Sequence, residues 1–360
     1  MELAVDLGRI VSLNDFDAFA RERMDPAAYD YVAGGAWDEI SLRESVEAWQ
    51  RYRFVPRVLR ETHHIDPRGS FLGRTAALPV AVAPMAFQEL AHPLGELAAV
   101  AGAAAFGVPY CLSTSASRTI EEVAAAAPDA ERWFQLYFTE SFEFTRDLVV
   151  RAADSGYRAL VVTADLPVLG YRDRDRRSGF VVPPRANVPA DAERPMGTPT
   201  LLSREEPVVV TWPDLERIRS WSNLRFVVKG ILSPADARRA AELGVDALVV
   251  STHGARQLDR VVATAEALPR IVDAVDGRCE IWVDGGIRRG LDVLVAMALG
   301  ATGVLVGRPI YWALATAGQA GVERALTILR DEIELALPLI GASSPGELTR
   351  ELLAPLTGRP

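Results

Sequence analysis

Ala247-Leu248-Val249-Val250-Ser251-Thr252-His253-Gly254-Ala255-Arg256-Gln257-Leu258-Asp259-Arg260 is the stretch that decides the fold. Its first four residues form an unbroken apolar run that does not alternate, which reads as a short strand buried on both faces, as in a parallel sheet covered by helices. Directly after it the chain turns polar and offers an imidazole and a guanidinium three residues apart. A base and an anion-binding group leaving a buried strand together suit a reaction that takes a proton from a carboxylate-bearing substrate.

The same arrangement repeats on either side. Apolar runs lie at Val80 to Pro84, Val108 to Ser113, Trp133 to Phe138, Ala159 to Asp165, Phe226 to Gly230, Ala247 to Thr252, Glu280 to Gly286 and Gly303 to Arg308. Between them are helical patterns at Gly95 to Ala105, Thr119 to Ala127, Phe142 to Ser155, Pro234 to Leu243, Thr264 to Val275 and Gly290 to Leu299. Eight strand–helix units predict an α/β fold, a closed (β/α)8 TIM barrel. A doubly wound open sheet would carry a glycine-rich fingerprint after its first strand, where this chain has Ala83-Pro84-Met85-Ala86. Residues 1–75 are expected to form an N-terminal helical extension, in which Asn14-Asp15-Phe16 can start a helix, Pro26 restarts one and Gly34-Gly35 stops it. The barrel then spans 76–345 of a single domain covering 1–360. After the fourth strand, residues 179–213 are rich in Pro, Ala and charge and read as a structureless lid loop.

Composition narrows the function classes. The 360 residues are 49% hydrophobic, enough to bury a substantial core. A formal charge of −9 opposes a nucleic-acid footprint, and the run Arg172 to Arg177, broken by Asp173 and Asp175, reads first as a solvated loop. The two cysteines, Cys111 and Cys279, each fall in an apolar strand-like segment, which argues against a disulfide framework or a thiolate metal site. No HxxxH or His–carboxylate cluster has ligand spacing, so no metal is expected. Met1-Glu2-Leu3-Ala4-Val5-Asp6 has no secretory signature, and no window approaches the roughly 18 apolar residues of a membrane span. A soluble, cytoplasmic protein without a membrane partner is expected.

In a barrel of this kind the active site lies at the C-terminal ends of the strands. The polar residues closing the runs are therefore the candidates: Ser113, Gln135, Tyr137, Thr163, Asp165, Lys229, His253 with Arg256, Asp284 with Arg288, and Gly307-Arg308. Lys229 is either a strand-end residue with its head in solvent or a fixed cation that stabilises developing negative charge, and the second is taken. Asp284-Gly285-Gly286-Ile287-Arg288 and Gly303 to Arg308 end the seventh and eighth strands, where loops often bind phosphate, and so imply a phosphorylated ligand. His253 in isolation would be an ordinary core histidine; beside Arg256, and with Asp165 able to hold its second nitrogen, it reads as a base. His63 and His64 read as surface residues and His92 as a helix-start residue.

Together these residues resemble the FMN-dependent α-hydroxy-acid oxidase/dehydrogenase family over residues 12–345. Ser251 to Asp259 is similar to the family's Ser-Asn-His-Gly-Gly/Ala-Arg-Gln-Leu-Asp, with Thr252 in place of Asn. Tyr29-Asp30-Tyr31, Ala33 to Ala36, Ala83-Pro84, Gln135-Leu136-Tyr137, Thr163-Ala164-Asp165, Val228-Lys229-Gly230, Asp284 to Gly290 and Gly307-Arg308-Pro309 follow in the family's order. The resemblance implies FMN as cofactor. It makes His253 the base that takes the α-proton, or the hydroxyl proton in a hydride-transfer version, with Asp165 as its orienting partner. Arg172, Arg256 and Tyr31 would hold the substrate carboxylate, with Tyr137 near the substrate hydroxyl and Lys229 beside the N1/O2 edge of the flavin. Ala83, Pro84, Met85, Ala86, Ser113, Gln135, Thr163 and Ser251 would neighbour the isoalloxazine, and Asp284, Gly286, Arg288, Gly307 and Arg308 the ribityl phosphate.

Ser115 departs from glycolate oxidase-like members, which carry Trp at that place. The loss of an aromatic wall favours an aryl substrate such as mandelate or 4-hydroxymandelate over glycolate or lactate. The resemblance thus implies oxidation of an aromatic (S)-2-hydroxy acid to the 2-oxo acid, with O2 reduced to H2O2, by a homotetramer. The alternatives are a dehydrogenase that uses a quinone or protein acceptor, an oxidase of small aliphatic hydroxy acids, and a non-catalytic flavin-binding barrel.

Overall fold

The computed structural model describes residues 5–138, 141–188 and 210–354. A short antiparallel hairpin, β1 (Gly69–Phe71) and β2 (Arg74–Ala76), precedes eight parallel strands. These are β3 (Val80–Val82), β4 (Tyr110–Ser113), β5 (Arg132–Leu136), β6 (Ala159–Thr163), β7 (Arg225–Ile231), β8 (Ala247–Val250), β9 (Glu280–Asp284) and β10 (Gly303–Val306). They close into a barrel in sequence order, with β10 pairing both β9 and β3. The eight apolar runs are therefore the eight strands of a (β/α)8 barrel.

Several strands stop one or two residues before the apolar pattern does. Pairing ends at Leu136 opposite Val162 and at Thr163 opposite Lys229, so Tyr137 and Asp165 leave the ladder and belong to loops. Cys279 likewise sits one residue before β9 rather than within it.

Side-chain alternation along the strands sorts the barrel interior into layers. The lower layers are apolar: Trp133 and Trp282 stack at 4.6 Å, and Phe71 from the hairpin packs against both. Ala81, Cys111, Ala159, Val161, Val227, Ala247, Val249 and Leu305 complete this inner cluster. One alternation further toward the C-terminal ends, Ser113, Gln135, Thr163, Lys229 and Asp284 replace the apolar residues. A packed floor thus lies beneath a polar mouth. The larger core lies outside the barrel, between the strands and helices such as α4 (Gly95–Phe106).

The N-terminal region does contain helices, at Asp15–Arg23, Pro26–Ala33 and Ile40–Glu47. It was expected to hold only helices and loops; the β1–β2 hairpin corrects this, its three-residue strands being too short for a period-2 signal. The chain leaving these helices is fastened across the barrel mouth. Ala36 N donates to Ala255 O at 2.9 Å, Trp37 N to Tyr171 O at 2.8 Å and Ser41 N to the Asp259 carboxylate at 2.8 Å. At Gly286 (φ +80°) a Cβ would lie 1.8 Å from Ser45 O, so only glycine permits this close approach.

Two further expectations change. The Arg172 to Arg177 run is not a solvated loop: Arg172 is buried, and the residues after it form a short helix, Asp173–Ser178. Arg174 pairs with Glu39 at 2.6 Å, because the N-terminal cover supplies carboxylates that a local sequence window does not contain. Of the lid at 179–213, residues 189–209 lie outside the described residues, and its last two residues already belong to a helix, Trp212–Arg219. Thr211 and Asp214 start that helix, with Thr211 N donating to the Asp214 carboxylate at 2.9 Å.

Candidate active site

His253 is delivered by an unusual turn. His253, Gly254 and Ala255 have φ of +56°, +62° and +58°, three consecutive residues in the left-handed region. This costs about 1–2 kcal/mol for each non-glycine residue. Two hydroxyls offset the cost: Ser251 Oγ accepts from His253 N at 3.0 Å, and Thr252 Oγ1 accepts from Ala255 N at 3.2 Å. Thr252 therefore supplies a local side-chain acceptor of the kind asparagine also offers in tight turns. Thr252→Asn is expected to leave stability within about 0.5 kcal/mol, whereas Thr252→Val, which lacks the acceptor, should lower it by about 1 kcal/mol in urea unfolding.

Held this way, His253 Nδ1 lies 2.9 Å from Asp165 Oδ1 and Nε2 lies 3.1 Å from Tyr137 Oη. The carboxylate accepts a hydrogen bond from Nδ1–H, which fixes the tautomer and leaves the Nε2 lone pair toward the pocket. Burial pushes the His253 pKa below its ordinary 6.5, with Lys229 and Arg172 adding to the shift and Asp165 opposing it. Burial acts to raise the Asp165 pKa, but the charges of His253 and Lys229 outweigh it and hold the carboxyl below the usual range. Tyr137 is pushed up to about 12, chiefly by burial, and stays a neutral hydroxyl. The resting site is a neutral imidazole backed by a carboxylate.

Cations surround this pair. Arg172 is 7% exposed and donates through Nε to Arg256 O at 3.3 Å; burial and the neighbouring Arg256 guanidinium push its pKa down to about 10. Arg256 donates to Gly34 O at 2.9 Å and lies 4.9 Å from the centre of the Tyr31 ring. Asp175 Oδ2 lies 3.9 Å from Arg172 Nη1, and the two adjacent guanidiniums together suit a further carboxylate. Lys229 is 5% exposed; its Nζ lies 3.0 Å from Ser251 Oγ and 3.4 Å from Asp284 Oδ2. Burial alone would lower its pKa, but Asp284 and Asp165 raise it, so the ammonium persists.

These groups open on one pocket with about 1170 Å³ of empty space, its mouth included. All the sequence candidates line it except Asp165 and Ser251. Asp165 stands behind His253, and Ser251, fully buried, braces Lys229 and the His253 backbone rather than facing the cavity. Ser115 lines the pocket but presents no exposed surface. Val32, Leu166, Leu169 and Tyr311 also line it; no pattern in the chain distinguishes them from core residues. His63 and His64 are exposed and His92 is half-buried outside the pocket, in keeping with their surface and helix-start assignments.

The residues present fit FMN. At one end the half-buried Arg288 and Arg308 converge with the start of the helix Arg308–Ile340, which has its N-terminus at the pocket. Among the described residues, Arg308 bonds to neutral acceptors, the carbonyls of Val32, Gly34 and Gly254. Burial, together with Arg256 and Arg288 nearby, pushes its pKa well below the ordinary arginine value. Such a cluster at a helix N-terminus calls for a phosphate-like anion. Asp284 Oδ1 is buried without a hydrogen-bond partner among the described residues, an acceptor available to a polyol hydroxyl. Toward the centre, Gln135 links Ser113 at 3.1 Å and Thr163 at 2.9 Å in a polar rim suited to the edge of a heteroaromatic ring.

Comparisons with known proteins agree. The family model described as FMN-dependent dehydrogenase matches residues 20–355. L-lactate oxidase from Nostoc sp. is 43% identical over 357 residues, covering 95% of this chain and 98% of that protein. 4-hydroxymandelate oxidase from Amycolatopsis orientalis is 44% identical over 348 residues, covering 94% and 97%. A solved structure of mandelate oxidase with (S)-4-hydroxymandelic acid superposes with a TM-score of 0.89 at 44% identity, covering 96% of this chain and 98% of that one. Among the described residues, no helix is long and apolar enough to cross a membrane. A half-buried histidine–aspartate pair, two adjacent guanidiniums and an arginine-lined helix N-terminus share one barrel mouth, and the family model and relatives matched along nearly the whole chain place this protein in the FMN-dependent 2-hydroxy-acid oxidase family.

Proposed function

We propose that this enzyme oxidises an aromatic (S)-2-hydroxy acid of the mandelate or 4-hydroxymandelate type to the 2-oxo acid, with O2 reduced to H2O2. The observation that carries the chemistry is His253, fixed by Asp165 in the same pocket as Arg172 and Arg256. What favours an aryl group is Ser115 where an aromatic wall would stand, together with the apolar lining of Met85, Leu166 and Leu169. L-lactate oxidase and 4-hydroxymandelate oxidase are nearly equally identical to this chain, so overall similarity does not choose between their substrates and the pocket lining carries the aryl reading.

Arg172 and Arg256 hold the substrate carboxylate through their planar forks. The Tyr31 hydroxyl adds to that clamp, and Tyr137, kept protonated by burial, donates to the substrate hydroxyl. His253 Nε2 removes a proton from the hydroxyl or the α-carbon, and the ionised Asp165 stabilises the imidazolium through Nδ1. Ala83 to Ala86, Ser113, Gln135, Thr163 and Lys229 hold the ring of FMN, while Asp284, Gly286, Arg288, Gly307 and Arg308 hold its ribityl phosphate. FMN held there would supply the two-electron acceptor, with O2 as the final oxidant. The balance is R–CHOH–COO⁻ + O2 → R–CO–COO⁻ + H2O2.

The test is anaerobic flavin bleaching by (S)- and (R)-mandelate, 4-hydroxymandelate, phenyllactate, lactate and glycolate, followed by reoxidation with O2 or a quinone. The (S)-aryl acids are expected to exceed glycolate by at least about tenfold in kcat/KM, and Ser115→Trp should lower that ratio by about 10–100-fold. Glycolate as the best substrate would overturn the aryl assignment, and reoxidation faster with the quinone than with O2 would overturn the acceptor.

A further inference from the structure

The motif that carries His253 continues to Gln257, whose side chain is outside the catalytic set described above. Its Nε2 donates to Asp165 O at 3.2 Å and to Val168 O at 2.8 Å. Its Oε1 accepts from Gly170 N at 3.3 Å and from Arg172 Nη2 at 3.4 Å. One amide therefore fastens the 165–172 segment at four points. The first is the backbone of the residue that holds His253 and the last is a guanidinium of the anion clamp.

That segment needs an external fastening. Between β6 and the helix at Asp173 it contains no helix or strand, so no ladder sets its position. It nevertheless lies hard against the His253 turn: a Cβ at Gly170 would be 2.2 Å from Arg256 O and 2.7 Å from Gln257 Cα. Only a side chain with both donors and an acceptor at its tip can serve carbonyls and N–H groups at once. Glutamate would face two carbonyl oxygens with a carboxylate, and a hydrocarbon would leave all four groups unserved.

We propose that Gln257 is a positioning residue that sets the register of the 165–172 segment on the His253 turn, so that one amide aligns both the Asp165–His253 contact and Arg172 toward the substrate carboxylate. The proposal rests on the roles given to His253, Asp165 and Arg172 under Proposed function. Misplacement of reacting groups by about 1 Å can cost on the order of 100-fold. Gln257→Met, which keeps the volume, and Gln257→Ala are accordingly expected to lower kcat/KM for anaerobic flavin reduction by about 10–100-fold.

Three readouts separate alignment from a general loss of structure. The dissociation constant of benzoylformate, read from the flavin spectrum, should rise by about tenfold. The acid limb of kcat/KM should move to lower pH, because a weakened Asp165 contact no longer supports the protonated imidazole. On an Arg172→Lys background, Gln257→Ala should add less than about threefold, since residues acting through one another are not additive. The proposal is overturned if both variants bind benzoylformate as the parent does with an unmoved acid limb, whatever their thermal stability, or if the Gln257 and Arg172 effects multiply in full. Should His253→Gln reduce its flavin at the parental rate, the assignment of the base fails, while benzoylformate binding and the cycle with Arg172→Lys still decide the role of Gln257.

Discussion

His253→Gln is expected to retain FMN and to slow substrate-dependent flavin reduction by about 10²- to 10⁴-fold, the range for loss of a positioned general base. The amide keeps a polar tip near Asp165 and Tyr137 but has no lone pair of imidazole basicity at Nε2. Substrate binding, which falls to Arg172 and Arg256, should change far less, so the loss appears in kcat rather than KM. Stopped-flow reduction under anaerobic conditions measures it; an unchanged rate would refute His253 as the base. In the parent enzyme the working form is the neutral imidazole. Burial depresses its pKa below 6.5, so the acid limb of kcat/KM should lie below 6.5, with activity lost as pH falls through it. Stability follows the same sign, because the native state binds this proton less readily than the unfolded chain does. The contribution of His253 is present above pH 6.5 and is lost as pH drops toward the depressed native value.

Lys229→Met should combine a loss of activity with a loss of stability. The ammonium is buried 3.4 Å from the Asp284 carboxylate, and Asp165 also acts on it. Removing one member of a buried pair leaves an uncompensated charge and costs about 3–5 kcal/mol. Urea unfolding of the enzyme should show a decrease of that order at pH 7. Lys229→Met/Asp284→Asn should recover part of it, because the double variant leaves no unpaired carboxylate. Flavin reduction should slow as well, since a fixed cation at the pocket floor favours negative charge developing there. A Lys229→Met protein as stable as its parent would refute the electrostatic role given to this pair.

Much of this site was legible before folding, because the barrel places its chemistry at strand ends and strand ends are visible as apolar runs that stop. Lys229, Asp284 and Gln135 each close such a run and each reaches the pocket. Arg172 could not be read from its surroundings: alternating Arg and Asp signal solvent, and only the carboxylates of the N-terminal cover, reaching Arg174 at 2.6 Å, explain why the run packs down. Leu166 and Leu169 carried no signal either, since an apolar residue in a loop is ambiguous until its neighbours are known.

The sequence by itself determined the eight-strand barrel, a phosphorylated ligand and the residue types at the mouth, because period, spacing and polarity are local properties that survive in one dimension; FMN in particular was implied by the resemblance of the motifs to a known family. Tertiary structure alone decided the left-handed turn that aims His253, the retreat of Ser251 and Asp165 behind the pocket wall, and the amide of Gln257 that joins two loops 85 to 92 residues apart in the chain. Those features rest on hydrogen bonds and close approaches between distant segments, and such contacts form only once the barrel has closed and brought the strand ends together.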